Sequence, residues 1–338
     1  MSSELVTDGW EIPPTDQDDA IDNSRRGRML RNYSRFAVLP ILVAVLIFSE
    51  VEVHNFFTWS LFKILLSQNA SLGIIAVGLT FVLISGCMDI SVGAVYAAGA
   101  SVYTKVGLHS SMALALLLAI LVGIVAGVVN GILVTKFKFN PFVTTLSTAS
   151  LFGGLVVVYA GNNAVTPTNP GFGTLGNGAV AGIPYSVILL VAVVALGTLL
   201  LHRTSFGRSL YATGGSPAAS RLAGLNIDLF RLISYVISGG CAALAGVLYA
   251  SQTGVSESNL GGNTVALTAL AIVVLGGTSL FGGEGAMWRT VAGFIILASV
   301  TTLFSVLAVT QPFQDLIEGL IVVVALVLDA SARRRGAI

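Results

Sequence analysis

Apolar stretches long enough to cross a hydrocarbon layer of roughly 30 Å recur along the chain, separated by short polar breaks. Ten are predicted: 36–53, 61–84, 89–107, 112–135, 142–160, 184–201, 229–250, 264–281, 289–309 and 313–330. The first is short, and the third opens on a charge, Asp89. The basic residues test this division independently, because the inner loops of a membrane protein concentrate Lys and Arg. With the N-terminus inside, Arg25, Arg26, Arg28, Arg31, Arg35, Lys136, Lys138, Arg203, Arg208, Arg221, Arg231, Arg289, Arg333, Arg334 and Arg335 all belong to inner segments. Lys63 and Lys105 alone fall outside, both at predicted span ends. An odd number of spans would scatter this segregation. The expected fold class is an all-α polytopic membrane protein of about ten transmembrane helices, with N-terminus and C-terminus both cytoplasmic.

Three regions are expected. Residues 1–35 form an acidic tail followed by a basic juxtamembrane segment. Residues 36–330 form the transmembrane domain with an internal loop at 202–228, and 331–338 a basic cytoplasmic tail. Glu4, Asp8, Glu11, Asp16, Asp18, Asp19 and Asp22 with Pro13 and Pro14 give the tail too little apolar area to order itself. Basic residues before a short apolar run also suit a signal peptide, but no small-residue cleavage site follows, so an uncleaved first span is expected.

Composition agrees with this division. Apolar residues make up 55% of the 338 and charged residues 10%, where a water-soluble domain carries roughly 25% charge. A net charge of +1 leaves no excess of cations for a phosphate backbone, so a nucleic-acid partner is excluded. Cys87 and Cys241 stand apart in apolar runs, and His54, His109 and His202 are scattered over separate loops, which gives neither a metal cluster nor a catalytic set. No GxxxxGK[ST] occurs, and GGTSLFGGEG lacks the lysine that a phosphate-binding loop requires. Ion coupling would need acids near the midplane, and Asp89 alone is a candidate.

Two loops are long. The external one, Gly161 to Gly182, is almost uncharged and suits a cap over a cavity or a docking surface. In the internal one, Ser216 can cap a helix with Pro217 at its first position, Ala218, Ala219, Leu222 and Ala223 favour the helix, and Gly224 ends it. Two turns are too short to be stable in water alone, so the segment is either an amphipathic linker or a piece held by a partner surface.

Within the spans, Gly86, Asp89, Ser91 and Gly93 interrupt an apolar run, as where backbone unwinds and a new helix begins. Asp89 then either caps that helix or lines a solute path. Gly123, Gly127 and Gly131 repeat every four residues, a surface for close helix approach. Asn130 requires an interhelical hydrogen bond or a water-lined cavity. A path for a neutral polyhydroxylated solute needs amides, hydroxyls and a few aromatics without fixed charge. The candidates are Gln68, Asn69, Asp89, Ser91, Tyr96, Asn130, Thr144 and Thr145, with Ser147, Thr148, Ser234 and Ser238 beside them. Each serves equally well as interhelical glue.

The segments GCMDISVGAV (Gly86 to Val95), VVNGILVTKFKFNPFVTTLST (Val128 to Thr148), TSFGRSLYATGGSPAASRLAGL (Thr204 to Leu225) and VVLGGTSLFGGEG (Val273 to Gly285) resemble, in this order, the permease subunits of ribose-type ABC sugar importers within the branched-chain amino acid/sugar permease superfamily. The chain departs from them at Ser216-Pro217, where they tend to carry Asn-Glu, and at Glu284, where they often carry a basic residue. The resemblance implies a non-enzymatic permease in the bacterial cytoplasmic (inner) membrane that translocates a monosaccharide or similar solute. Its implied partners are a second permease subunit, identical or paralogous, a cytoplasmic ATP-binding-cassette ATPase, and a periplasmic or lipid-anchored solute-binding protein, among membrane lipids. No cofactor is implied in this chain, ATP and Mg being held by the ATPases. Ser216, Pro217, Ala218, Ala219, Ser220, Arg221, Leu222, Ala223 and Gly224 correspond to that family's coupling helix. Branched-chain amino acids, a furanose autoinducer or a polyol are alternative cargoes, and an ion-coupled secondary transporter is the alternative class.

Overall fold

The computed structural model describes residues 38–54, 56, 58–161, 165–256, 262–310, 312–314, 316–317, 319–320 and 323. The acidic tail at 1–35, most of the tenth predicted span and the tail at 331–338 lie outside the described residues. In chain order the helices are α1 (Val38–Glu52), α2 (Trp59–Ile84), α3 (Val92–Gly107), α4 (Met112–Thr135), α5 (Pro141–Ala160), α6 (Thr174–Asn177), α7 (Tyr185–Arg203), α8 (Ser205–Gly215), α9 (Pro217–Leu222), α10 (Ile227–Thr253), α11 (Gly262–Leu275) and α12 (Met287–Val306). A two-residue hairpin, β1 (Ala179–Val180) with β2 (Ile183–Pro184), precedes α7.

Six of these helices, α2, α4, α5, α7, α10 and α12, are long and apolar enough to cross a membrane. Their sides divide by environment. On α4, Leu117, Leu121 and Val125 are exposed, as are Leu151, Leu155 and Val158 on α5 and Val191, Leu196 and Leu199 on α7. Such a continuous apolar exterior is a liability in water and the natural surface in lipid, so the fold is that of a polytopic helical membrane protein.

The helices start and stop where local chemistry dictates. The Ser111 hydroxyl accepts from Leu114 N–H to open α4. Asn140 accepts from Phe142 and Val143 N–H to open α5, with Pro141 at the first turn. Asn226 does the same for α10, which ends at Gly254 in the left-handed conformation.

Two helices make the centre. From Asn69 to Ile84, α2 is buried at almost every position, the mark of a helix enclosed by others. α10 packs on α2, α3 and α4. The glycine repeat predicted as a packing face meets α10: a Cβ on Gly123 would collide with Gly239 O, and one on Gly127 with Tyr235 O. The two backbones therefore touch directly. The segment holding Phe172 and Gly176 is tied over the end of α10: the Ser251 hydroxyl accepts from Gly176 N–H at 2.8 Å and donates to Phe172 O at 2.6 Å.

Two predicted spans are shorter than expected. The third begins as a helix at Val92, because residues 86–91 run without helical structure after the positive φ of Gly86. The eighth ends at Leu275, where Gly276 and Gly277 turn the chain, and the apolar Leu280 and Phe281 sit in the turn-rich segment that follows.

Candidate functional site

The break between α2 and α3 sets a carboxylate inside the bundle. Asp89 is 5% exposed, and one of its oxygens accepts from Ser91 N–H at 3.1 Å and from the Ser91 hydroxyl at 2.6 Å. The other accepts from the Ser238 hydroxyl of α10 at 2.8 Å. Asn130 of α4 donates to Ser91 Oγ at 2.7 Å and accepts from Thr148 Oγ1 of α5 at 2.7 Å. Thr145 Oγ1 accepts from Ile90 N–H at 3.2 Å, and the Tyr235 hydroxyl donates to Met88 O at 2.9 Å. Side chains of three helices, α4, α5 and α10, thus converge on six residues of irregular backbone and pair the polar groups named above, as an unwound stretch inside a membrane demands.

Of the residues singled out from the sequence, Asp89, Ser91, Asn130 and Thr145 are brought together here, with Thr148 and Ser238. Asp89 bonds the N–H of Ser91, the residue that precedes the first turn of α3, while the Ser91 side chain makes no cap bond of its own. The others lie elsewhere. Asn69 donates to Leu65 O and accepts from Thr301 of α12 at 3.0 Å. Tyr96 packs against Tyr249 with ring centroids 5.7 Å apart. Thr144 donates to Asn140 O within its own helix, and Gln68 is exposed on α2.

The segment 216–224 takes the predicted form. Ser216 Oγ accepts from Ala219 N–H at 3.3 Å, Pro217 opens α9, and Leu225 N–H returns to Ser220 O past Gly224 in the left-handed conformation. Ser220 is buried, and the remaining positions from Ser216 to Gly224 are exposed. Leu222, an apolar side chain at 92% exposure, stands at its tip.

Several participants carry no sequence signal beyond a polar atom in an apolar run. Arg231 Nε donates to Ser85 O at 3.3 Å, and the Tyr211 hydroxyl donates to Gly285 O at 2.7 Å. Burial pushes the Tyr211 phenol up to about 12 against the opposing pull of Arg289, so it keeps its proton at neutral pH. Among the described residues no three His, Cys, Asp or Glu side chains converge as a metal site would require.

Comparison with known proteins agrees with this architecture. The chain is 37% identical to the ribose import permease protein of Bacillus subtilis over 86% of its own length and 89% of that protein's. It is 34% identical to the L-arabinose transport system permease protein of Escherichia coli (88% and 91% covered) and 31% identical to the D-allose transport system permease protein of the same organism (88% and 91%). No solved structure matches it. The family described as branched-chain amino acid transport system / permease component matches residues 61–326, and the chain belongs to that family.

Proposed function

We propose that this chain is the membrane-spanning permease of an ATP-driven importer that moves a monosaccharide, delivered by an external binding protein, across the bacterial cytoplasmic membrane. The observation that carries the reading is α9, a short capped helix that offers Arg221 and Leu222 to solvent. A six-residue helix gains little stability by itself, and its exposed apolar tip suits a groove on another protein. The names of the ribose, arabinose and allose relatives support the sugar class.

The basic residues support ten crossings with both termini and α9 on the cytoplasmic side. There α9 meets an ATPase that holds the ATP and its Mg, and a second permease completes the path. Closure of two ATPases draws the coupling helices together, and the paired permeases alternate between outward and inward openings. Such a shift requires that the ATPase bind α9 differently in the two states. The path is lined from the candidate set of amides, hydroxyls and Tyr96, whose weak contacts allow release.

Reconstitution tests this. The chain alone in vesicles transports nothing, and adding its ATPase, its binding protein and ATP starts sugar uptake. Ala219→Glu with Arg221→Glu abolishes ATP-dependent uptake. Accumulation by the lone chain under an ion gradient would refute the proposal in favour of an ion-coupled carrier.

A further inference from the structure

Three segments distant in the chain meet backbone to backbone beside α9. Gly283 N–H donates to Ile84 O at 2.9 Å. A Cβ on Gly214 would collide with that same carbonyl, one on Gly282 with the backbone of Gly86, and one on Gly283 with the backbone of Gly215. Gly282 and Gly283 also take positive φ, so no other residue fits this contact without displacing it. The Tyr211 hydroxyl reaches Gly285 O across the same seam. Thr213 and Thr278, on two of the segments, are both almost wholly buried, and neither hydroxyl has a hydrogen-bond partner among the described residues.

This contact joins two regions already described. Gly214 and Gly215 immediately precede Ser216, the cap of α9. Gly86 lies three residues before Asp89 on the irregular strip that the polar cluster holds. With α9 taken as the ATPase-docking helix, as proposed above, its displacement has a route of a single backbone contact into the break between α2 and α3.

We propose that the contact of Gly86, Gly214–Gly215 and Gly282–Gly283 is the joint that carries movement of α9 to the Asp89 cluster, with Tyr211, Thr213 and Thr278 as positioning residues. Tyr211 ties α8 to the 276–286 segment so that the two move together. The unpartnered hydroxyls of Thr213 and Thr278 make the present arrangement less than optimal, which keeps a second arrangement within reach. Glycine at five of the touching positions, with Ile84 offering only its carbonyl, lets the segments slide without side chains locking them.

The two kinds of positioning residue are expected to fail differently in the permease–ATPase complex reconstituted with its binding protein. Tyr211→Phe leaves the ATPase bound and hydrolysis running, while ATP consumed per sugar imported rises at least threefold. Thr278→Val removes the unpartnered hydroxyl and keeps the shape. It raises the melting temperature of the complex and slows hydrolysis and uptake together, at least threefold, with their ratio unchanged. Thr278→Ser restores wild-type rates. An unchanged ratio in Tyr211→Phe, unchanged turnover in Thr278→Val, or loss of the ATPase from either variant would overturn the joint. The docking role of α9 is read separately: Leu222→Asp should release the ATPase, and its retention would refute that reading without touching these measurements.

Discussion

The Asp89 cluster is buried and the glycine joint mostly half-buried, and the two are linked through residues 86 to 88, yet they treat polar atoms in opposite ways. In the cluster both carboxylate oxygens, the Asn130 amide and the hydroxyls around them are paired, with partners drawn from α4, α5 and α10. In the joint two hydroxyls have no partner among the described residues, and backbone meets backbone with little side-chain interlocking. A satisfied network defines one arrangement, because any displacement strands a polar group in a low-dielectric interior. A partly unsatisfied contact has little to lose by moving. The cluster reads as the fixed end of the mechanism and the joint as the end that gives.

The strongest way to break this contrast is to empty the cluster's centre. Asp89→Leu strands the Ser91 N–H and the Ser238 hydroxyl, a cost of about 3 kcal/mol. Purified protein should melt at a clearly lower temperature and reach the membrane in reduced amount. Asp89→Asn keeps one oxygen for both Ser91 donors, and the Ser238 hydroxyl can turn to accept from the new amide. Stability should fall by less than about 1 kcal/mol, with uptake retained. Loss of uptake in a normally assembled Asn variant would move Asp89 from holding the backbone to handling the solute.

Next in size is the frame that carries the cluster. Gly239→Ala drives a methyl group into Gly123 O and should cost about 1–3 kcal/mol, seen as lower melting temperature and uptake. Gly154→Ala on α5 is the control, because its added methyl meets nothing within 4 Å, and helix propensity should make it neutral or slightly stabilising. A smaller loss is expected at the edge of the cluster. Thr148→Val removes one donor from Asn130 Oδ1, and hydrogen bonds between membrane helices average about 0.6 kcal/mol, so melting should shift only slightly.

Hydropathy made the helical frame legible where chemistry and composition change at the same place. Met112–Thr135 matches its predicted span at both ends, because Ser111 caps one and the charge of Lys136 closes the other. The end of α11 was illegible for the opposite reason: Leu280 and Phe281 continue the apolar run beyond Gly276 and Gly277, where the backbone has already turned. For the site, the glycines and Asp89 marked the break, but nothing local announces that Ser238 closes the network from 149 residues away. Which way Gln68 points was not legible either, because α2 shows no clear polar stripe, and the structure leaves the amide exposed. Thr213 and Thr278 are single hydroxyls in small-residue segments. Their interest lies in the partners they lack, which only the packing reveals.

A further small effect is expected where the turn between α4 and α5 is pinned to the start of α10. Lys138 Nζ meets the Asp228 carboxylate at 2.6 Å with both side chains about half exposed, so the pair contributes less than about 1 kcal/mol and weakens with salt. Lys138 also has φ of 58°, a left-handed conformation that glycine adopts without penalty and a residue with a Cβ does not. The two contributions separate by substitution. Lys138→Ala loses the ion pair and keeps the unfavourable backbone, whereas Lys138→Gly loses the same pair and relieves it. Melting should therefore rank the Gly variant above Ala by about 1 kcal/mol and close to wild type, and 1 M salt should erase most of the wild-type advantage over Ala. Equal losses in both variants, closed by 1 M salt, would mean that the ion pair, rather than the turn's own geometry, holds α4 against α10 at this edge. The fixed end of the mechanism would then extend out to the membrane surface instead of stopping at Asn130 and Thr148.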